Sequence, residues 1–114
     1  MLLTDWPQIA ALYERLVAIT PSPVIELNRA VAIAMVAGPD AGLAAIDRIE
    51  GLDAYLHLHS ARADLLRRAQ RSGEAADAYR RAIELATNRV ERQFLERRLT
   101  EVEASRQDVL NTGR

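Results

Sequence analysis

Shifted by about 33 residues, the sequence overlays on itself. Arg29-Ala30 then falls on Arg62-Ala63, Ile33 on Leu66, Gly42 on Ala75, Ile46 on Tyr79 and Ile49 on Ala82. Self-similarity at a fixed period of this length marks a chain built from stacked copies of one supersecondary unit, none of which can bury its apolar face alone. The apolar spacing within each copy is helical, so the repeating unit is a pair of helices.

Breakers and caps divide the chain into six predicted helices. The first opens at Thr4 or Asp5, a capping side chain, with Pro7 in the first turn where its missing N–H costs nothing. Trp6, Ile9, Leu12, Tyr13, Leu16 and Val17 form its stripe, which ends near Ile19. Ser22 caps the second, with Pro23 at its first position and the pattern running to about Ala37. The third extends from Pro39 or Asp40 to Glu50. The fourth runs from Ala54 to about Arg71 with Asp53 as N-cap, and Ser72-Gly73 supplies the following turn. The fifth begins at Glu74 and places Ala75, Ala78, Tyr79 and Ala82 on one side. The sixth covers about Arg89 to Ala104 after a cap at Thr87 or Asn88. Residues 105–114 lose the pattern and are expected to fray.

In the better copy, Ala63, Ala75, Tyr79 and Ala82 stand where close helix contact needs small residues and one aromatic fills the gap between helices. This copy resembles a tetratricopeptide repeat, whose period is roughly 34 residues. It departs from that pattern at His59 and Arg62, where the consensus has a tryptophan and a leucine, and at Thr87, where a proline is usual. The expected fold is all-α: antiparallel helix pairs in a tetratricopeptide-like right-handed superhelix of about six helices, spanning residues 4–104, with the outer helices as caps. The competing reading is an irregular six-helix bundle with no groove.

Composition narrows the function. The 114 residues suit one compact domain. Fifteen basic residues, all arginine, against sixteen acidic ones leave a net charge of −1, which gives no global attraction for a phosphate backbone. The domain is therefore not expected to bind nucleic acid directly. With no cysteine there are no disulfides, thiolate metal sites or thiol nucleophiles, which suits a reducing compartment. No basic-then-apolar leader and no membrane-length apolar run occurs, so the expected location is the cytoplasm, away from the membrane.

Chemistry-bearing patterns are sparse. His57 and His59 are two residues apart on a predicted helix and point to nearly opposite sides, so they do not chelate one metal. No metal site and no cofactor is expected. Asp53 lies four residues before His57, and a local hydrogen bond explains the pair better than catalysis does. Carboxylates alternate with arginines along helix faces as solvated ladders. The sequence contains no phosphate-cradling glycine loop and no nucleophile elbow. No catalytic residues are assigned, and the chain is read as noncatalytic. Asn28, Arg29 and Arg62 are the candidate protein-binding groove residues, because Arg29 and Arg62 hold the same place in the two copies and a guanidinium presents a fixed fork of donors to carboxylates and carbonyls. Bracing of a neighbouring acid, Arg29 by Glu26 or Arg62 by Asp64, is the structural alternative. Residues 1–60 carry a net −4 and residues 61–114 a net +3, a polarity able to steer a partner.

The order of segments is distinctive. Thr4-Asp5-Trp6 with Leu12-Tyr13 leads to Pro21-Ser22-Pro23-Val24 and Leu27-Asn28-Arg29-Ala30-Val31-Ala32. Then follow Gly38-Pro39, Tyr55-Leu56-His57-Leu58-His59, Arg62-Ala63-Asp64-Leu65-Leu66-Arg67-Arg68 and Ala78-Tyr79-Arg80-Arg81-Ala82. Over roughly residues 4–100 this resembles the C-terminal tetratricopeptide-like extension of a subgroup of bacterial extracytoplasmic-function sigma factors. The resemblance implies a role in transcription initiation, with the upstream sigma-factor regions or RNA polymerase as protein partners. In that family the promoter-reading regions lie upstream. No helix-turn-helix with a basic recognition helix precedes Trp6, so the chain is read as a fragment of a longer protein. The alternative function is a free-standing tetratricopeptide-like adaptor that holds an extended or acidic peptide through Arg29 and Arg62.

Overall fold

The six helices of the computed structural model, which describes residues 4–112 and the side chains of residues 4–107, follow from the caps and breakers of the sequence. They are α1 (Trp6–Ile19), α2 (Pro23–Ala37), α3 (Pro39–Asp47), α4 (Leu56–Arg68), α5 (Ser72–Leu85) and α6 (Arg89–Thr112), and no strand occurs among the described residues. The fold is all-α, as expected. The Asp5 carboxylate accepts from the Gln8 N–H at 3.1 Å, Ser22 Oγ from the Ile25 N–H at 3.5 Å and Asn88 Oδ1 from the Glu91 N–H at 2.8 Å. Each cap satisfies a backbone donor that the first turn of a helix leaves without a partner.

Helix boundaries differ from expectation in the second half. Asp53 is not the N-cap of α4. That place is taken by Tyr55, which has extended backbone and makes no side-chain cap. At the other end α4 stops at Arg68, because Gln70 adopts the left-handed conformation at φ 61°. The Arg71 N–H then donates to the Leu66 carbonyl at 2.9 Å and the Gln70 N–H to the Arg67 carbonyl at 3.0 Å. These two bonds form a Schellman motif with glutamine in the position that usually selects glycine. Ser72 and Gly73 therefore open α5 instead of forming the turn. Helix α3 ends at Asp47, with a tighter bond from the Ile49 N–H to the Ile46 carbonyl. The expected fraying of residues 105–114 gives way to helix as far as Thr112, since Ser105 to Thr112 contains no glycine or proline to stop it.

The helices group into two compact units, Met1–Asp53 and Ala54–Arg114. In the first, α2 packs against both α1 and α3; in the second, α5 packs against both α4 and α6. Short connections make chain neighbours antiparallel. The first core holds Leu27, Ala30, Ala32, Ala34, Leu43 and Ile46. The second is built on the alanines of α5, with Ala75, Ala76, Ala78 and Ala82 all buried beside Tyr79, Leu66 and Leu95. Alanine carries no side-chain entropy to lose and lets two helices approach α5 from both sides. Tyr79, only 2% exposed, fills the space they leave.

Candidate protein-interaction groove

Helices α4 and α6 both rest on α5, and a groove runs between them within the second unit. On α4 its wall is His57, Ser60, Ala61 and Asp64; on α6 it is Glu91, Phe94, Leu95 and Arg98. Both sets follow the i, i+3, i+4, i+7 spacing that puts side chains on one helix face. The groove comprises two adjoining hollows that share His57, Ser60 and Phe94. The larger, about 330 Å³, reaches down to Tyr79 and Arg98, and the smaller, about 200 Å³, is bounded by Leu56 and Leu95. Phe94 stands 50% exposed between them, which is unusual for a large aromatic side chain.

Charged side chains fix the rim. The Asp64 carboxylate is gripped by the Arg67 guanidinium and by Arg68 Nε at 3.1 Å. The hydrogen bond to Asp64, and after it one to the Tyr79 hydroxyl, raises Arg67 above the ordinary arginine value, against the opposing effect of burial. Arg67 thus links both α4 and the groove floor, although its Nε is buried without a hydrogen-bond partner. Across the groove the Arg98 guanidinium lies 5.4 Å from the centre of the Phe94 ring and pairs with Glu101 at 3.0 Å. At the other end, the Tyr55 and His57 rings meet edge to face at 5.2 Å. Arg80 donates to Glu103 at 2.6 Å, which ties α5 to α6 and holds the walls in register.

Of the groove residues named from sequence, Asn28 and Arg29 lie in the first unit and Arg62 in the second. Asn28 is exposed on α2. Arg29 is half-buried in a separate hollow of about 180 Å³, with Val17, Glu26, Ala45, Arg48 and Ile49, inside the first unit. Arg62 is half-buried on α4, close enough to Glu74 at the start of α5 to lower its carboxyl, whose depression comes first from a hydrogen bond to Arg71. Asp64 is braced by Arg67 and Arg68. Sequence reasoning missed Ser60 and Phe94 as groove residues, although the matched spacings on α4 and α6 were visible. Among the described residues no group of three or more His, Asp or Glu side chains converges as a metal site, and no helix is long and apolar enough to cross a membrane.

Neither a protein-family model nor a solved structure matches the chain. Among curated proteins it is similar to an uncharacterized protein of Rhizobium meliloti (strain 1021), at 42% identity over 102 residues. That alignment covers 89% of this chain and 24% of the Rhizobium protein, so the chain spans about a quarter of the length of the relative it matches.

Proposed function

We propose that the chain is a noncatalytic, protein-interacting regulatory domain of a bacterial extracytoplasmic-function sigma factor, which acts in transcription initiation through the upstream sigma regions or RNA polymerase. The observation that carries the interaction part is the α4–α6 groove. Its apolar surface around Phe94 is exposed, and hydrogen-bond donors on Ser60, His57 and Arg98 surround it. An aromatic anchor point ringed by polar groups is what a protein segment of mixed character needs for docking. The sigma-factor part is supported by the Pro21-Ser22-Pro23-Val24 and Leu27-Asn28-Arg29-Ala30-Val31 stretches, and the Rhizobium relative is long enough to hold further regions.

In this reading the groove walls do no chemistry. Asp64 is occupied by two guanidiniums and orients the rim, and Arg98 offers its remaining donors to a carbonyl or carboxylate. A net charge of −1 leaves nucleic acid to other parts of the protein. The test is crosslinking with mass-spectrometric mapping on the full-length protein bound to RNA polymerase. Links from α4 and α6 to sigma regions or polymerase are expected. Links confined to other surfaces, or none, contradict the proposal.

A further inference from the structure

Glu26 and Arg29 stand three residues apart on α2, the spacing and order that join Asp64 to Arg67 and Asp77 to Arg80 as ion pairs. No ion pair or hydrogen bond joins Glu26 to Arg29, and among the described residues neither side chain has another partner. The bracing of Arg29 by Glu26 that the spacing allows is therefore not formed. Both side chains instead line a hollow of about 180 Å³ within the first unit. Arg48, at the C-cap of α3, lines it too and is likewise without a side-chain partner among the described residues. Val17, Ala45 and Ile49 complete the wall. Glu26 and Arg29 are half-buried, and Arg48 is exposed.

We infer that this hollow is a binding site for one carboxylate group, held between the guanidiniums of Arg29 and Arg48. Three features select that ligand. First, two guanidiniums against the one carboxylate of Glu26 give the lining a formal charge of +1, which a monoanion neutralises and a doubly charged phosphate exceeds. Second, each guanidinium presents a planar fork of donors that matches the two oxygens of a carboxylate. Third, the hollow has the volume of roughly six waters at about 30 Å³ each, which suits a carboxylate on a stem of one or two carbons and is too small for a nucleotide. Val17, Ala45 and Ile49 keep water from part of that space, and a hydrogen bond is electrostatically stronger where water is excluded. An acidic side chain of a polypeptide and a free small acid share this chemistry. The inference is independent of the α4–α6 groove and of the sigma-factor reading, because every lining residue belongs to the first unit.

The test is an NMR titration of the 114-residue chain, read at the arginine Nε–Hε resonances and assigned with Arg29→Gln and Arg48→Gln. The probes, at constant ionic strength, are acetate and a blocked glutamate with one free side-chain carboxylate (N-acetylglutamate N′-methylamide). Inorganic phosphate is the comparison. Both carboxylates should move the Arg29 and Arg48 resonances saturably, with Kd on the order of millimolar. Each glutamine substitution should weaken binding at least about fivefold. Arg15→Gln, an equal change of charge on α1 outside the hollow, should leave it unchanged. Arg48 is exposed, so Arg48→Gln keeps the measurement possible if Arg29→Gln disturbs the fold. Tighter binding of the blocked glutamate than of acetate assigns the site to an acidic polypeptide segment, and equal or weaker binding assigns it to a free small acid. Shifts that grow linearly with concentration, phosphate binding tighter than both carboxylates, or an equal loss in Arg15→Gln would each overturn the inference.

Discussion

Replacing Gln70 by glycine should stabilise the protein, and the structure sets the size of the effect. Gln70 closes α4 with φ 61°, a conformation that costs an L-residue roughly 1–2 kcal/mol through the contact of Cβ with the following carbonyl. Its side chain is exposed, so its removal creates no cavity. Glycine removes that cost but loses about 0.4–1 kcal/mol through the greater freedom of the unfolded chain. The net gain is about 0.5–1 kcal/mol. For a chain of this length each kcal/mol moves the midpoint by roughly 3–6 °C, so Tm should rise by about 2–5 °C. Circular dichroism melts of wild type, Gln70→Gly and Gln70→Ala provide the assay. The alanine variant keeps the Cβ and should lie within about 0.5 kcal/mol of wild type. A glycine variant no more stable than the alanine variant would refute the assigned Schellman geometry. The protein already uses glycine at two other positive-φ positions, Gly38 at 99° and Gly51 at 88°.

Tyr79→Ala, which empties the fully buried floor of the groove, should cost about 3–5 kcal/mol in urea denaturation, whereas Phe94→Ala on the exposed wall should change stability by less than about 1 kcal/mol. The Glu74 carboxyl is depressed in the fold chiefly by its hydrogen bond to Arg71. Its contribution is therefore complete above the unfolded glutamate value near pH ~4.3 and is lost as the pH falls through the lower folded value. Glu74→Gln should accordingly flatten the acid limb of the Tm profile below about pH 4.3, and an unchanged limb would remove this assignment. Under the proposed function, Arg29→Ala and Arg62→Ala should weaken association with the upstream sigma regions if either side chain contributes to binding, and equal affinities in calorimetric titration would eliminate both positions.

Much of the helix layout was legible in the sequence because punctuation and periodicity agreed. Asp5 with Pro7, Ser22 with Pro23 and Gly38 with Pro39 mark helix ends by mechanisms local to a few residues, and the structure realises each. The α4–α5 corner was misread for an equally local reason. Ser72-Gly73 carries the stronger turn signature, yet the chain turns at Gln70, where the Leu66 and Arg67 carbonyls are satisfied while Ser72 and Gly73 enter α5. Propensity favoured glycine at the turn; hydrogen bonding placed glutamine there.

The candidate site was less legible, because a groove depends on which helices share a neighbour. Arg29 and Arg62 occupy equivalent places in the repeat, one in each unit. Arg29 faces the α1–α2–α3 hollow, and Arg62 lies near Glu74. The α4–α6 groove follows from α5 being thin enough, through Ala75, Ala78 and Ala82, for both helices to rest on it. Phe94 then stands between two hollows.

Under the proposed sigma-factor function, the groove is tested most directly by titrating the upstream sigma regions into wild type, Phe94→Ala and Arg98→Ala and measuring Kd by calorimetry. An aromatic anchor and its flanking guanidinium should each be worth a tenfold or greater loss of affinity, on the order of 1.4 kcal/mol or more, with the fold retained by circular dichroism. Wild-type affinity in both variants would contradict the assignment of the α4–α6 groove as the surface through which this domain acts.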